Sequence, residues 1–140
     1  IDLGAERFLL SSTLNAVLAQ RIVRKICLHC KEEYIPLPQI IQEIKNGLGN
    51  LFPSAGETVK LYKGKGCEEC AGSGYLGRIG IFETLPVSEK MSTLILQNAD
   101  SNSIEKEAIS EGMIVLKQDG YLKALQGITT VEEVLRVAQE

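Results

Sequence analysis

Four cysteines in two CxxC pairs are the residues of this sequence whose type and spacing point most directly to chemistry. The pairs are Cys27 with Cys30 and Cys67 with Cys70, and residues 31–66 separate them. Zinc takes four thiolates at tetrahedral corners, and a CxxC turn directs two sulfurs to one centre. Disulfides of a secreted module typically show scattered spacings instead. We therefore predict one structural zinc site in a cytosolic protein.

The energetics favour metal binding over loop entropy. Closing the loop of residues 31–66 costs roughly 3 kcal/mol in a flexible-chain estimate, whereas structural zinc returns about 10 to 16 kcal/mol. Four protein ligands leave no open position for water activation, so a catalytic metal is excluded. His29 is predicted to face solvent, because the cysteines already satisfy the metal. Free core cysteines and a redox CxxC are the alternatives, and residues 20–40 lack the βαβ setting that the redox motif needs.

Arginines form the second group of candidate functional residues. Arg78 lies between Gly77 and Gly80 at the entry to a predicted strand. A guanidinium in such a place can contact a phosphate through two hydrogen bonds, as arginine fingers do. The alternative is a hydrogen bond from Arg78 to Glu83 or to the backbone that only fixes the turn. Spacing alone favours this alternative.

A cluster of basic residues precedes the first cysteine pair. Arg21, Arg24 and Lys25 would share one face of a helix. This predicts either an anion or nucleotide contact, or else a solvated face or a salt bridge between subunits. Charge runs more often have the second role. The sequence holds no GxxxxGK[ST] phosphate loop, no second histidine and no nucleophile with an identifiable base. We predict no catalytic residues in this chain taken alone.

Composition places the chain among globular proteins. It has 140 residues, of which 44% are hydrophobic and 24% charged, enough for one core or two very small ones. The net charge of −3 and a pI of about 5.3 argue against a polyanion-binding protein, because phosphate binding requires a basic surface. No run of 18 apolar residues predicts a membrane span. The start at Ile1 suggests a piece of a longer protein.

Hydrophobic patterning predicts an α+β fold with short N-terminal helices, a small zinc-knuckle subdomain with short β-strands, and a C-terminal helical bundle. Apolar residues at helical spacing predict a helix over residues 12–26. Thr130 and Glu133 have the spacing of a capping box at the start of the last helix. Between these ends we predict strands over residues 33–35, 59–62 and 79–85, a helix over residues 39–48, and further helices from Ser88 onward.

Several segments together resemble the C-terminal part of bacterial type II secretion and type IV pilus assembly ATPases. The match runs essentially from end to end, and its conjunction of motifs is far more specific than any single motif. The segments that carry the resemblance are residues 2–10 (DLGAERFLL), 18–31 (LAQRIVRKICLHCK), 66–70 (GCEEC), 74–83 (GYLGRIGIFE) and 127–136 (GITTVEEVLR).

The resemblance implies a parent protein that is a cytoplasmic, hexameric P-loop ATPase bound peripherally to the inner membrane. ATP and Mg²⁺ would serve the parent only, because its Walker, Asp-box and His-box elements are absent from this chain. The implied partners are the other subunits of a homohexamer and the inner-membrane platform proteins of a secretion or pilus system. The fragment itself would be structural or regulatory, with no nucleic-acid partner.

The resemblance also assigns roles by position. It implies that the four cysteines are zinc ligands and that Arg78 can reach the nucleotide, which raises this reading above the turn contact. Arg21 and Arg24 match a basic helix near the ATPase core. The implied regions are the last helices of that core (1–26), a tetracysteine zinc-binding subdomain (27–86) and a helical subdomain (87–140). Residues 38–56 receive no role.

Two other classes of zinc protein compete with this reading. A zinc-ribbon nucleic-acid module would place basic and aromatic residues around the knuckles, where this sequence has glutamates such as Glu68 and Glu69. A chaperone zinc domain is suggested by residues 67–74, which fit CxxCxGxG. Only one copy of that repeat is present, and the first cysteine pair lacks its glycines.

Overall fold

A computed structural model describes residues 6–53 and 59–138, so residues 2–5 and 54–56, which the sequence analysis also considered, lie outside the described ranges. The predicted α+β class is confirmed. In chain order the elements are α1 (Arg7–Thr13), β1 (Ala16–Ile26), β2 (Lys31–Tyr34), α2 (Pro38–Leu48), β3 (Leu61–Gly64), β4 (Tyr75–Pro86), α3 (Glu89–Leu96), α4 (Ser101–Ser110), α5 (Leu116–Leu125) and α6 (Val131–Ala138).

The strands form two small sheets. In one, β1 pairs with β4; in the other, β2 and β3 are antiparallel. Lys31 lies opposite Gly64, at the end of this strand pair that is nearer the cysteines. Because β2 starts directly after Cys30 and β3 ends shortly before Cys67, pairing of the two strands brings the two CxxC pairs together.

The helix predicted over residues 12–26 is wrong beyond Thr13. Helix α1 ends there, and Leu14 adopts an extended conformation. The hydroxyl groups of Ser11, Ser12 and Thr13 donate to the carbonyls of the preceding turn, a type of local bond that competes with helix propagation. Residues 16–26 are rich in β-branched side chains and pair with β4, so long-range pairing outweighs the helical spacing of the apolar residues.

The other predicted elements lie close to their expected places. The helix expected over residues 39–48 is α2, and helices follow Ser88 as predicted. The first two predicted strands are displaced by about two residues, within the usual uncertainty of element ends. Strand β4 is longer than expected and starts at Tyr75. Arg78 is therefore inside a strand and not at its entry.

The chain packs as two compact units. The first combines Ile1–Ala19 with Glu83–Val115 and includes α1, α3 and α4, with Met91 and Ala108 buried. Helix α4 is capped in the usual way, because Asp100 accepts a hydrogen bond from the Ser103 amide at 2.9 Å. The predicted division of the chain at residues 26 and 86 stays a prediction.

The second unit combines Gln20–Phe82 with Leu116–Glu140 and carries the cysteines and the candidate arginines. Helices α5 and α6 approach closely at Gly120, where an added Cβ would lie 2.5 Å from Val134 Cγ1. Only glycine fits this crossing, because a methyl group there would overpack the core. The buried core of this unit consists of Ile44, Leu48, Leu61, Tyr121, Ala124, Val131 and Val134.

Candidate metal centre and the surrounding residues

The four cysteines meet in one tetracysteine cluster, formed by Cys27, Cys30, Cys67 and Cys70. All four sulfurs lie within 4.8 Å of one another, and three of the separations are 3.7, 3.8 and 3.9 Å. A tetrahedral zinc ion with sulfurs at 2.3 Å requires sulfur–sulfur edges of about 3.8 Å. No disulfide links them. The cluster therefore has the dimensions of a four-thiolate metal site.

Glycines create the turns that aim the second pair at this centre. Gly66 and Gly74 have φ values of +90° and +75°, a region that side chains with a Cβ rarely adopt. An added Cβ would lie 2.5 Å from the Gly72 carbonyl oxygen at Gly66, and 2.6 Å from the Gly64 carbonyl oxygen at Gly74. Substitution of either glycine would push the two loop segments apart and displace the sulfurs.

Backbone amides point at two of the sulfurs. Gly66 donates to Cys30 Sγ at 3.3 Å, and Cys70 Sγ accepts from Cys67 at 3.2 Å and from Gly74 at 3.3 Å. The Cys67 amide is the largest cause that lowers the pKa of the Cys70 thiol, to about 6. Such donors stabilise thiolates, which are the form that binds a metal. At Cys30 burial outweighs the Gly66 amide and raises the pKa of the thiol to about 12.

The predicted association of the four cysteines is confirmed. His29, inside the first pair, is exposed as expected. All four corners are protein sulfurs, so the site has no open coordination position and suits a structural ion. The carboxylates of Glu68 and Glu69 are exposed beside the second pair and are not needed as ligands.

A buried carboxylate next to this centre was missed from the sequence. Glu133 is only 2% exposed, and its oxygens accept from the Arg24 backbone amide at 2.9 Å and from the Arg24 guanidinium at 2.7 Å. Arg136 donates two more hydrogen bonds, at 3.0 and 2.8 Å. We call Glu133, Arg24 and Arg136 the Glu133 cluster. It joins α6 to β1 three residues before Cys27.

Neighbouring residues extend this junction toward the cysteines. The Arg24 guanidinium lies 4.1 Å from the centroid of the Tyr75 ring. The Tyr75 hydroxyl and the Thr130 hydroxyl are 3.0 Å apart, and Thr130 Oγ1 also accepts from the Glu133 amide. Half of the predicted capping box is therefore present, while the Glu133 side chain bonds to arginines. The signal in the sequence was Arg136, three residues after a glutamate on the same helix.

The Glu133 cluster predicts a specific loss of stability in acid. Burial opposes ionisation of Glu133, but hydrogen bonds from Arg136 and Arg24 lower its pKa from 4.5 to about 2. Because the folded pKa lies below the unfolded one, the stabilisation of about 3 kcal/mol is complete above pH 4.5 and disappears as the pH falls toward 2. Glu133→Gln should remove this contribution at pH 7, measured as the free energy of unfolding in urea.

The control for this prediction is Glu132→Gln, which changes the exposed neighbour on the same helix. It should leave the free energy of unfolding within about 0.5 kcal/mol of wild type. The difference in the free energy of unfolding between wild type and Glu133→Gln should shrink between pH 4.5 and 2, because protonated Glu133 is neutral like glutamine. Acid effects on the cysteines are the same in both proteins and cancel in this difference. A difference that stays constant over this range would show that Glu133 is not the titrating group.

The three candidate arginines lie on the paired strands β1 and β4. Arg78 is exposed and follows Gly77 with its φ of +80°, and its guanidinium makes no hydrogen bond or ion pair within residues 6–53 and 59–138. The turn contact from Arg78 to Glu83 is therefore absent from this part of the chain. Arg21 and Arg24 do not share a face as expected, because side chains of an extended strand alternate. Their location near a nucleotide stays a prediction.

Fold and site together define the class: an α+β protein with a four-cysteine cluster that has the dimensions of a metal site. The sequence matches the family described as type II/IV secretion system protein over residues 1–136. This chain belongs to that family. Within the described ranges, no helix is both long and apolar enough to cross a membrane.

Curated relatives support the same assignment. The chain is 42% identical over 134 residues to the type IV pilus assembly ATPase PilB of Thermus thermophilus, which covers 96% of the chain and 14% of that relative. It is 41% identical over 140 residues to the type II secretion system protein E of Pseudomonas aeruginosa, covering all of the chain and 26% of the relative. The type II secretion system ATPase E of Vibrio cholerae is also 41% identical, over 99% of the chain and 26% of its own length. The chain thus spans about a quarter or less of these relatives.

Proposed function

We propose that this chain is the C-terminal zinc-binding region of a homohexameric ATPase that powers type II protein secretion or type IV pilus assembly. The parent would bind ATP and Mg²⁺, work in the cytoplasm at the inner membrane, and contact the platform proteins of its system. The observation that carries the proposal is the tetracysteine cluster, with its tetrahedral dimensions, in a chain of this family. The region itself is structural and non-catalytic.

The role of zinc in this proposal is to fix the start of β4. The Cys27 amide donates to the Gly74 carbonyl at 3.0 Å, and Gly74 donates to Cys70 Sγ. Strand β4 begins at the next residue and carries Arg78. A metal bound by the cluster would therefore hold one end of the strand that presents this arginine.

Arg78 is proposed to contact the phosphates of the nucleotide in the hexamer. Support comes from its exposure and from its lack of an intramolecular partner among residues 6–53 and 59–138. A free planar guanidinium is suited to two parallel hydrogen bonds with a phosphate. A residue that only fixed its own turn would be bonded within it.

Exposed apolar side chains support a larger assembly. Phe8 on α1 is 71% exposed and Leu18 on β1 is 61% exposed, and Leu9, Val17 and Ile22 are also exposed. Single exposed apolar residues are common, whereas several in two consecutive elements indicate a contact surface. In the proposed parent, other parts of the chain or a neighbouring subunit cover them.

The ion pairs on and beside strands β2 and β3 argue against the nucleic-acid alternative. Lys63 and Lys65 both pair with Glu32, at 3.4 and 2.6 Å, and Lys60 pairs with Glu33 at 3.0 Å. Each of these lysines thus has a carboxylate partner, and the exposed Glu68 and Glu69 add negative charge beside the second cysteine pair, whereas a polyanion contact needs excess positive charge. The charges on this pair of strands fit a structural role within the protein.

The proposal is tested by comparing this chain with its full-length parent. The parent should form hexamers and hydrolyse ATP, whereas residues 1–140 alone should do neither and should not bind ATP at micromolar concentrations, because the phosphate loop supplies most nucleotide contacts. Both proteins should contain about one zinc ion per chain. Calorimetry, phosphate release and metal analysis measure these properties. Micromolar ATP binding by the short chain, or a parent without ATPase activity, would contradict the proposal.

A further inference from the structure

Helix α5 contacts the backbone of β4 through two charged side chains. Asp119 Oδ2 accepts a hydrogen bond from the Phe82 amide at 2.8 Å, and Lys123 Nζ donates to the Gly80 carbonyl at 3.0 Å. Asp119 and Lys123 also form an ion pair with each other. Both backbone groups lie within four residues of Arg78.

These contacts are made to one edge of β4, the edge to which the backbone polar groups of Arg78 also point. Residues 78, 80 and 82 alternate along the strand, so their side chains share one face and their backbone polar groups point to one edge. The described sheet pairs β4 with β1 only. The Asp119–Lys123 pair thus satisfies backbone groups on an edge that no strand of the described residues covers.

Packing around Gly80 makes this segment specific in its conformation. An added Cβ at Gly80 would lie 2.6 Å from Phe82 Cζ and 2.7 Å from Gln20 Nε2. The Phe82 ring therefore lies over Gly80, and Lys123 Nζ lies 5.1 Å from the centroid of that ring. Asp119 and Lys123 are 24% and 17% exposed, so their charge-assisted bonds are partly shielded from water.

Arg78 has a different environment on its N-terminal side. Gly77, with a φ of +80°, lies directly before it, and only the Lys25 side chain comes within 4 Å of a Cβ built there. The hydrogen bonds from helix α5 to the backbone of Gly80 and Phe82 therefore hold the strand in place on the C-terminal side of Arg78. Loss of that anchor would let the strand shift at Arg78 without opening the tetracysteine cluster.

We propose that Asp119 and Lys123 are positioning residues that hold Arg78 in the geometry needed to contact a phosphate. This inference rests on the proposed function of Arg78. The pair touches neither nucleotide nor metal, and acts through the backbone of residues 80–82. A displacement of about 1 Å at a reacting group can cost about a hundredfold in rate, so removal of the anchor should be visible in turnover.

The test uses the full-length parent and measures kcat and KM for ATP, zinc content, hexamer formation and melting temperature. Asp119→Ala should lower kcat about 10- to 100-fold, with zinc content and hexamer formation unchanged. Asp119→Asn keeps an oxygen acceptor for the Phe82 amide and should lie between wild type and Asp119→Ala. Lys123→Met should lower kcat as well. The control is Lys117→Met, which removes a lysine of the same helix that pairs with Glu43, and it should keep wild-type turnover.

A double-mutant cycle separates this inference from the proposed function. If Asp119 acts through Arg78, adding Asp119→Ala to Arg78→Lys should change kcat less than about threefold further. Multiplying effects would overturn the inference. If Arg78→Lys lowers kcat but Asp119→Ala and Lys123→Met do not, the inference alone is wrong. If Arg78→Lys keeps full turnover, the proposed function of Arg78 is wrong, and the inference with it.

A purely structural role would also be recognised. Loss of zinc or of melting temperature in step with kcat in Asp119→Asn and Lys123→Met would overturn the inference. If Asp119→Ala does not fold, Lys123→Met decides, because it leaves the bond between Asp119 and Phe82 in place. Reduced kcat at unchanged melting temperature supports positioning, and unchanged kcat contradicts it.

Discussion

Replacing Cys70 with serine is expected to abolish zinc binding and to unfold the region around the paired strands β2 and β3. Cys70 is buried, and its sulfur lies 3.7 Å from that of Cys67 and 3.9 Å from that of Cys30. A structural zinc ion contributes about 10 to 16 kcal/mol, whereas a whole domain is stable by about 5 to 15 kcal/mol. Loss of the metal therefore exceeds what the small core of this unit can compensate.

Metal analysis and thermal unfolding followed by circular dichroism measure this result. Wild-type protein should carry about one zinc ion per chain, Cys70→Ser close to none, and its cooperative transition should be lost or strongly lowered. Treatment of wild type with a strong chelator should reproduce the variant. His29→Ala is the matched control, because His29 is exposed within the first cysteine pair, and it should keep both zinc and stability. A folded Cys70→Ser protein with full zinc content would refute the four-cysteine site.

The tetracysteine cluster could be predicted from the sequence because the chemistry of a four-thiolate site is local and restrictive. Two CxxC pairs satisfy a tetrahedral ion whatever the rest of the fold does, and the turns need glycines such as Gly66 and Gly74, whose positive φ values the structure has. The C-terminal helices could be predicted from the sequence for a related reason. Their caps and apolar stripes are local signals, and Ser88 and Asp100 do cap α3 and α4.

Strand β1 could not be predicted from the sequence, because its partner strand lies far away along the chain. Leu18, Ile22 and Ile26 have a spacing that a helix also produces, and only pairing with β4 makes the segment a strand. The wrong period also placed Arg21 and Arg24 on a common face. Edge and pairing partners are properties of the tertiary fold, and a single sequence carries no direct signal for them.

Glu133 was missed for a different physical reason. The pattern from Thr130 to Glu133 correctly indicated the start of α6, but it assigned the carboxylate to its own helix end. In the structure this carboxylate is buried and bonded to Arg24 and Arg136. A buried charge must be paired, and the partner from β1 is 109 positions away. Local capping rules cannot reveal such a partner.

Arg78→Lys in the full-length parent is expected to reduce ATP turnover about 10³- to 10⁵-fold, the range seen when an arginine finger is lost. Lysine keeps the positive charge but lacks the planar fork that binds two phosphate oxygens. The variant should still fold, because Arg78 is exposed and its side chain has no hydrogen bond within residues 6–53 and 59–138. Surface substitutions of this kind change stability by about 0.5 kcal/mol or less.

Arg136→Lys provides a control with the opposite signature. Arg136 donates two hydrogen bonds to the buried Glu133, so its replacement should lower the melting temperature, because the carboxylate then keeps only its bonds from Arg24. Its turnover, measured below the new melting temperature, should stay near wild type. Phosphate release and thermal unfolding of the two variants, measured in parallel, then separate a nucleotide contact from a structural one.

The outcomes for Arg78 differ by more than experimental error can hide. A nucleotide contact predicts a large loss of kcat at constant zinc content and melting temperature, whereas an exposed turn contact is worth about 1 kcal/mol or less, equivalent to at most a few-fold change. If Arg78→Lys keeps its turnover, or loses zinc and stability together with activity, Arg78 is a structural residue.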